Sequence, residues 1–338
     1  MDMQSAIKAV TEKQNLSHNE MKQVMTLIMT GQATPSQIGG FLIGLRMKGE
    51  TVDEVTAAAG VMRELSTKVN VKKDHLVDTC GTGGDASGSF NISTASAMVA
   101  AAAGATVAKH GNRSVSSKSG SADVLETAGV NLEIAPEQVA ACVNEIGVGF
   151  MFAVKHHGAM KHAIGPRKEM AVRTIFNVLG PLTNPAGAPN QLIGVFNKDW
   201  VEPLAQVLKQ LGSEHVMVVH AADGMDEISI GSETFVAELK NGEVSSYTIK
   251  PEDFSMSQAD LSTIRAADSN ASLKTIQAVF DNAAGPAKDI VCLNAGAAIY
   301  VSGLSDSLAA GIDKARAVIA DGLAKQKFEA LINFTQNC

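Results

Sequence analysis

The sequence predicts an α/β protein in two parts: a small N-terminal helical domain, then a larger α/β domain with a central, mostly parallel sheet flanked by helices. Three observations predict it. The first seventy residues carry helix-start signals and apolar residues at helical spacing, with no strand-like run. From His75 onward, short apolar runs alternate with helical runs, the order of a parallel sheet with helical crossovers. The connections after the first two strand candidates are rich in glycine, serine and basic residues, and ligands of such sheets bind beyond the carboxyl ends of strands.

The helical part rests on three capping-box spacings: Ser17 with Glu20, Thr34 with Gln37, and Thr51 with Glu54. Pro35 sits where a first helical turn tolerates proline. Apolar residues such as Met21, Val24, Met25 and Ile28 then fall on one helical face. The domain boundary lies near residues 68–73. Strands are expected at 75–80, 105–108, 149–154, 191–196 and 215–220, and 234–249 reads as a hairpin around Asn241-Gly242. Helices are expected at 93–103, 122–128, 136–146, 169–178, 201–211, 272–283 and 305–324.

Composition removes several classes of function. The chain has 338 residues, long enough to bury a large core without disulfides. Its net charge of −7 is the wrong sign for a protein that grips nucleic acid through phosphates. Aromatic residues are 4%, too few for a base-stacking platform. Residues 1–20 hold no apolar block of the kind a secretory signal needs. The most apolar stretch, 95–108, is shorter than the about 20 residues of a membrane span. Cys80, Cys142, Cys292 and Cys338 are far apart, without a CxxC or Cys/His cluster, so the expected setting is a reduced cytoplasm.

The segment from Gly81 to Thr94 reads as a phosphate loop. Gly81, Gly83, Gly84 and Gly88 let backbone N–H groups approach an anion, and Ser89, Ser93 and Thr94 add hydroxyls. The helix that begins near Ser93 adds positive partial charge. A Walker loop is excluded, because GxxxxGK[ST] is absent. A dinucleotide fold is the runner-up, since Gly81, Gly83 and Ala86 fit a loose GxGxx[GA] pattern. It would want an acidic residue after the next strand; Lys109-His110-Gly111-Asn112-Arg113 stands there instead, which suits phosphate.

That second segment, Lys109 to Ser121, holds three fixed cations and five serines. Two anion-friendly loops after neighbouring strands would face each other. Further along, Asp223-Gly224-Met225-Asp226-Glu227 follows another strand candidate, and paired carboxylates near phosphates suit magnesium. Arg167, expected at the start of a helix running to Asn177-Val178-Leu179-Gly180-Pro181, could fork onto a carboxylate. His110, His156, His157 and His162 are candidate acid–base groups, none singled out by its surroundings in the sequence.

Taken together, Gly81-Thr82-Gly83-Gly84-Asp85, Asn91-Ile92-Ser93-Thr94, Lys109-His110-Gly111-Asn112-Arg113, Asn177 to Pro185 and Asp223 to Glu227 resemble the anthranilate phosphoribosyltransferase family. The motifs stand in that family's order and span nearly the whole chain. Related pyrimidine-nucleoside phosphorylases share the architecture but not these strings. The resemblance implies transfer of the phosphoribosyl group of phosphoribosyl pyrophosphate to the amine of anthranilate, in tryptophan biosynthesis. It implies that Gly81, Gly84, Asp85, Ser89, Asn91, Ile92, Ser93, Thr94, Lys109, Gly111, Asn112, Arg113, Ser114, Ser117 and Ser121 hold phosphoribosyl pyrophosphate. Ser89 stands where many members carry threonine, with the hydroxyl kept. Gly81, Asn112 and Arg167 would meet anthranilate, and Ser93, Asp226 and Glu227 would hold Mg2+. Lys109 would stabilise the leaving pyrophosphate, with His110 able to assist. The expected organisation is a helical domain over 1–70, joined by part of 165–185, and an α/β domain over 74–338, in a cytoplasmic homodimer that binds neither nucleic acid nor membrane. The alternatives are transfer to another aromatic amine, a nicotinamide-dependent dehydrogenase, and a non-catalytic nucleic-acid-binding relative.

Overall fold

The computed structural model describes residues 1–85, 87–114 and 119–338. Four helices open the chain: Met3–Thr11, His18–Met29, Pro35–Lys48 and Val52–Leu65. All three expected capping boxes form, at Ser17/Glu20, Thr34/Gln37 and Thr51/Glu54. The apolar stripe of the second helix is buried at Met21, Val24, Met25 and Ile28, in one core with Phe41 and Leu42 of the third. Glu54 is fully buried there. Its carboxylate accepts from the N–H of Leu16 at 2.8 Å, the N–H of Thr51 at 2.8 Å and Lys48 Nζ at 2.9 Å. A buried charge so enclosed fixes the register of the bundle, because losing any partner strands it.

Beyond residue 75 the chain forms a seven-stranded sheet. The strands are β1 Leu76–Gly81, β2 Thr106–Gly111, β3 Val148–Phe152, β4 Asn190–Gly194, β5 His215–Ala221, β6 Thr234–Lys240 and β7 Glu243–Ile249. Their order is β3-β2-β1-β4-β5-β6-β7. The first five run parallel, and β6 and β7 add an antiparallel hairpin at one edge. Asn241 and Gly242 both have positive φ, 53° and 77°, the pair that a tight two-residue hairpin turn requires. The central β1 has β2 on one side and β4 on the other. Its carboxyl end at Gly81 is therefore the point from which successive connections leave in opposite directions, where open α/β sheets take ligands.

Helices cover both faces. One side is a continuous core in which Ile92–Ala102, Pro286–Val301 and Leu323–Gln336 pack on each other and on the sheet. The alanines of the first of these permit close approach. On the other side, Val201–Gln210 shares a core with the N-terminal bundle and with Ile193, Val216 and Val218 of the sheet.

Three expectations change. The helix expected at 169–178 does not form. Instead Lys161–Met170 is helical with Pro166 inside it, and it stops at Ala171, whose φ of 50° turns the chain. A short turn follows at Phe176–Leu179. Arg167 thus lies near the end of a helix, not its start. The helix expected at 305–324 is Leu308–Ala320, and Gly322 (φ 73°) turns the chain into Leu323–Gln336. Pro286–Val301 was not expected as a helix. It is buried around most of its circumference, so its sequence carries no amphipathic stripe.

Candidate active site

The glycine loop begins where β1 ends. Gly83 and Gly84 have φ of 65° and 80°, the left-handed region that glycine enters without strain. Gly83 donates its N–H to Asp226 Oδ2 at 2.8 Å. Thr82 donates its N–H to the carbonyl of Gly194 at 2.9 Å, and its Oγ1 accepts from the N–H of Phe196 at 3.0 Å. The far end is pinned as well. Phe90 N–H donates to the Ile264 carbonyl and Ala266 N–H to the Gly88 carbonyl, and Ser89 bridges to Arg265. Helix Ile92–Ala102 then starts at Asn91 with no side-chain cap. In its first turn the Ile92 N–H donates to the Phe90 carbonyl at 2.7 Å, while the N–H groups of Ser93 and Thr94 have no partner within the helix, the place where an anion binds.

Asn91 spends its side chain elsewhere. Its Oδ1 accepts from Ser272 Oγ at 2.6 Å and from Ser119 Oγ at 2.9 Å, and its Nδ2 donates to the Ser119 carbonyl at 3.2 Å. The glycine loop and the second loop are therefore tied side by side, as the sequence led us to expect. Ser117 lies outside the described residues. Gly111 ends β2 against Ser121, where a Cβ would run into Ser121 Oγ. Ser121 Oγ donates to the Asn112 carbonyl at 3.3 Å. Asp123 shapes the turn by accepting from the N–H groups of Ser114 at 3.0 Å and Gly120 at 2.8 Å. Arg113 does not point its charge at the loops. Its guanidinium forks onto Glu126 at 2.7 and 2.9 Å and touches Asp123 at 3.2 Å.

Lys109 is buried, 2% exposed. Its Nζ donates to the Thr79 carbonyl and to Ser93 Oγ. Burial lowers its pKa, and the carboxylates of Asp78, Glu227 and Asp226 oppose that shift. The neighbouring His110 faces His157, Nε2 to Nε2, at 3.2 Å. The Gly180 backbone favours the charged form of the His110 ring, against the larger effect of burial. Burial, with His157 and His156 nearby, holds His110 far below the usual histidine range, and burial, with His156 and Lys68 nearby, holds His157 at about 4. Both imidazoles are neutral at physiological pH, so one of the facing nitrogens carries the proton and the other accepts it.

The acidic pair stands beside Gly81 and Gly194. A Cβ at Gly194 would overlap the Asp226 carbonyl, and one at Gly81 would meet Asp226 Oδ2. Only glycine admits the pair at this depth. Asp85, Asp226 and Glu227 each bring a carboxylate oxygen to within 4.8 Å of the others. Glu227 Oε2 and Asp85 Oδ2 are buried and find no hydrogen-bond partner among the described residues. Burial and mutual repulsion push Asp226 up to about 7 and Glu227 well above its usual range. Clustered, orphaned, hard oxygen ligands whose charges repel fit a divalent cation such as Mg2+. Ser93 lines the same small cavity as Asp226 and Glu227.

Four functional positions escaped the sequence reading in whole or part. Asp85 was expected among the phosphate ligands, yet its carboxylate joins the acidic pair. Asn294, on the unforeseen helix Pro286–Val301, holds Ile228 by donating Nδ2 to its carbonyl at 2.9 Å and accepting its N–H at 3.0 Å. Asp78 accepts from the N–H of His110 at 3.1 Å and from Asn184 Nδ2 at 2.7 Å, which fixes β2 against β1 at the site. Arg173 donates to the Gly84 carbonyl. No motif marks any of these last three roles; they depend on contacts between distant segments. Arg167 is half-buried with its guanidinium 5.0 Å from the centre of the Phe176 ring, and burial lowers its pKa.

Residues 4–66 match the profile of the glycosyl transferase family, helical bundle domain, and residues 73–325 that of the glycosyl transferase family, a/b domain. The class is thus a two-domain glycosyl transferase, with the candidate site at the carboxyl ends of the central strands. Anthranilate phosphoribosyltransferase of Thioalkalivibrio sulfidiphilus is 68% identical over 338 residues, covering 100% of both chains. That of a Marinomonas species is 63% identical, covering 99% of this chain and 98% of its own. The crystal structure of anthranilate phosphoribosyltransferase from Thermus thermophilus superposes with a TM-score of 0.93 at 40% identity, over 98% of this chain and 99% of that one. The chain belongs to the anthranilate phosphoribosyltransferase family. The fold extends to the Saccharomyces cerevisiae enzyme in complex with phosphoribosyl pyrophosphate and Mg, at 23% identity and a TM-score of 0.90, over 99% of this chain and 98% of that one.

Proposed function

We propose that this protein transfers the phosphoribosyl group of phosphoribosyl pyrophosphate to the amine of anthranilate, releasing pyrophosphate, as a step of tryptophan biosynthesis. The observation that carries the reading is the bond from Gly83 N–H to Asp226, which brings a glycine anion loop onto a cluster of three carboxylates. In the reaction the amine nitrogen bonds the anomeric carbon, the bond to the pyrophosphate oxygen breaks, and the nitrogen then loses a proton to water. Positive charge grows on the sugar and negative charge on the leaving group.

Gly81, Gly84, Ser89, Ser93 and Thr94 supply donors for the phosphates, together with Gly111, Asn112, Ser114 and Ser121 of the second loop; Asn91 and Ile92 act on the same substrate by shaping the loop, since their N–H groups bond Ser272 Oγ and the Phe90 carbonyl. Arg113 acts on this substrate through the shape of that loop, given its fork onto Glu126. Asp226, Glu227 and Ser93, with Asp85, hold Mg2+. The ion supplies charge stabilisation for the leaving pyrophosphate. Lys109 adds a fixed cation close to the same group. Gly81, Asn112 and Arg167 receive anthranilate, with the Arg167 guanidinium facing its carboxylate. An aromatic amine attacks without prior deprotonation, and the neutral His110 assists by position. Holding the amine against the anomeric carbon then supplies much of the rate.

The helical domain spans 1–70 joined by part of 165–185, and the α/β domain 74–338. The homodimer forms through the helical part, where Met47 and Ile164 are exposed on the adjoining helices Pro35–Lys48 and Lys161–Met170. Among the described residues no helix is long and apolar enough to cross a membrane; the setting is the cytoplasm. The reading is tested by pyrophosphate release, which must require both substrates. Release from phosphoribosyl pyrophosphate with water alone, unaffected by anthranilate, contradicts it.

A further inference from the structure

We infer that Arg173 is a positioning residue that clamps the glycine turn in its anion-binding shape and ties it to the helical bundle. The inference rests on the proposed reaction only for its kinetic consequence. Arg173 lies in the irregular stretch after Ala171, whose left-handed φ of 50° ends helix Lys161–Met170. Its side chain is exposed, yet the residue is held at three points, two on the side chain and one on the backbone. Nη2 donates to the Gly84 carbonyl. The guanidinium lies 4.3 Å from the centre of the Phe196 ring. The Arg173 carbonyl accepts from Arg46 Nη1 at 2.7 Å, and Arg46 stands on helix Pro35–Lys48 of the bundle.

A peptide unit is planar and trans, so fixing one C=O also fixes the N–H on its opposite edge. The grip on the Gly84 carbonyl therefore aims the Asp85 N–H away from Arg173. Two peptides earlier, Asp226 holds the Gly83 N–H. Two consecutive residues of a turn built on positive φ are thus each clamped, Gly83 at its N–H by Asp226 and Gly84 at its carbonyl by Arg173. The Phe196 N–H bonds Thr82 Oγ1, so the ring under the guanidinium is anchored to the same loop. Among the described residues no carboxylate pairs with Arg173, and its charge stays available beside a loop built for an anion. Lysine cannot replace it, because only a planar guanidinium stacks on a ring while donating in its own plane.

The test compares R173K, R173Q and F196L with the unmodified protein. Amide exchange over residues 81–85, measured without substrates, should quicken by about tenfold in R173K and R173Q, the effect of one lost hydrogen bond. F196L, which keeps the arginine but removes its platform, should fall between. The KM for phosphoribosyl pyrophosphate should rise by about tenfold in both arginine variants. The KM for anthranilate should stay within about twofold, and melting temperatures should be unchanged, as for an exposed side chain. Unchanged exchange in a normally melting R173Q overturns the inference, and so does full rescue by lysine, which would make Arg173 a point charge. Exchange is read without substrate, so a protein that fails to turn over anthranilate refutes the proposed reaction while the clamp is still judged.

Discussion

Gly83 donates its backbone N–H to Asp226 Oδ2 at 2.8 Å, across 143 residues of chain. The glycine loop and the acidic pair are therefore one construction. Each supplies what the other lacks: donors for an anion, and carboxylates for the cation that accompanies it. The double variant D226N/E227Q keeps the volume of both side chains and removes their charge. Turnover should fall by at least about a hundredfold, the cost of losing electrostatic stabilisation at a leaving group. Melting should occur at the same or a higher temperature, because the burial of two charges, which chiefly raises both pKa values, and their repulsion by Asp85 no longer oppose folding. Melting curves with and without Mg2+ check it: the variant should show no Mg2+ shift. Wild-type turnover removes the metal assignment.

A methyl group at Gly194 tests the same construction by crowding. Its Cβ would occupy the position of the Asp226 carbonyl, and backbone cannot swing aside as a side chain can. G194A should fold, since overpacking typically costs about 1–3 kcal/mol. It should lose most affinity for Mg2+ and most activity. Calorimetric titration with Mg2+ decides it, and an affinity equal to that of the unmodified protein contradicts the geometry.

Stability should depend on pH in a way that Mg2+ reverses. Asp226 is held at about 7 in the fold against 3.8 in an ordinary carboxyl, so the metal-free fold binds more protons than the unfolded chain between those values. The stability this gives is full below pH 3.8 and lost as the pH rises through 7. The buried histidines act in the opposite sense. His157 is held at about 4 against 6.5, and its contribution, full above pH 6.5, is lost as the pH falls toward 4. Bound Mg2+ needs the carboxylates ionised, so its stabilising shift should be larger at about pH 8 than at about pH 6. Thermal melts at both pH values measure this. A shift equal at both, or larger at the lower pH, contradicts the assignment.

His110 and His157 face each other as neutral rings, and an aromatic amine needs no strong base. H110A should therefore keep measurable turnover, with a loss below about a hundredfold, the lower range for a general acid–base group. Steady-state kinetics beside a melting curve checks it. Abolished turnover with folding and both substrate affinities intact would make His110 essential.

Much of this was legible in the sequence because the signals are local. Capping boxes at Ser17, Thr34 and Thr51 and the Asn241-Gly242 turn are chemistry among near neighbours, and each formed as expected. The loop from Gly81 to Thr94 carried its own cues in glycine and hydroxyl residues. The rest depends on distant contacts. Asp85 meets Asp226 only because β1 and the segment after β5 end on the same side of the sheet. Asn294 sits on a helix too evenly apolar to be recognised by periodicity. Arg113 belongs to a cationic stretch, 109–121, that holds no acidic residue, yet Glu126, thirteen residues on, takes its charge. Charge counted along a sequence does not reveal which charges are already paired.

The central claim is phosphoribosyl transfer to anthranilate supported by the carboxylate cluster. The most direct measurement follows anthranilate fluorescence with phosphoribosyl pyrophosphate and Mg2+, with and without a chelator. The account predicts consumption of anthranilate that the chelator stops and added Mg2+ restores. No consumption by folded protein, or consumption untouched by the chelator, contradicts it.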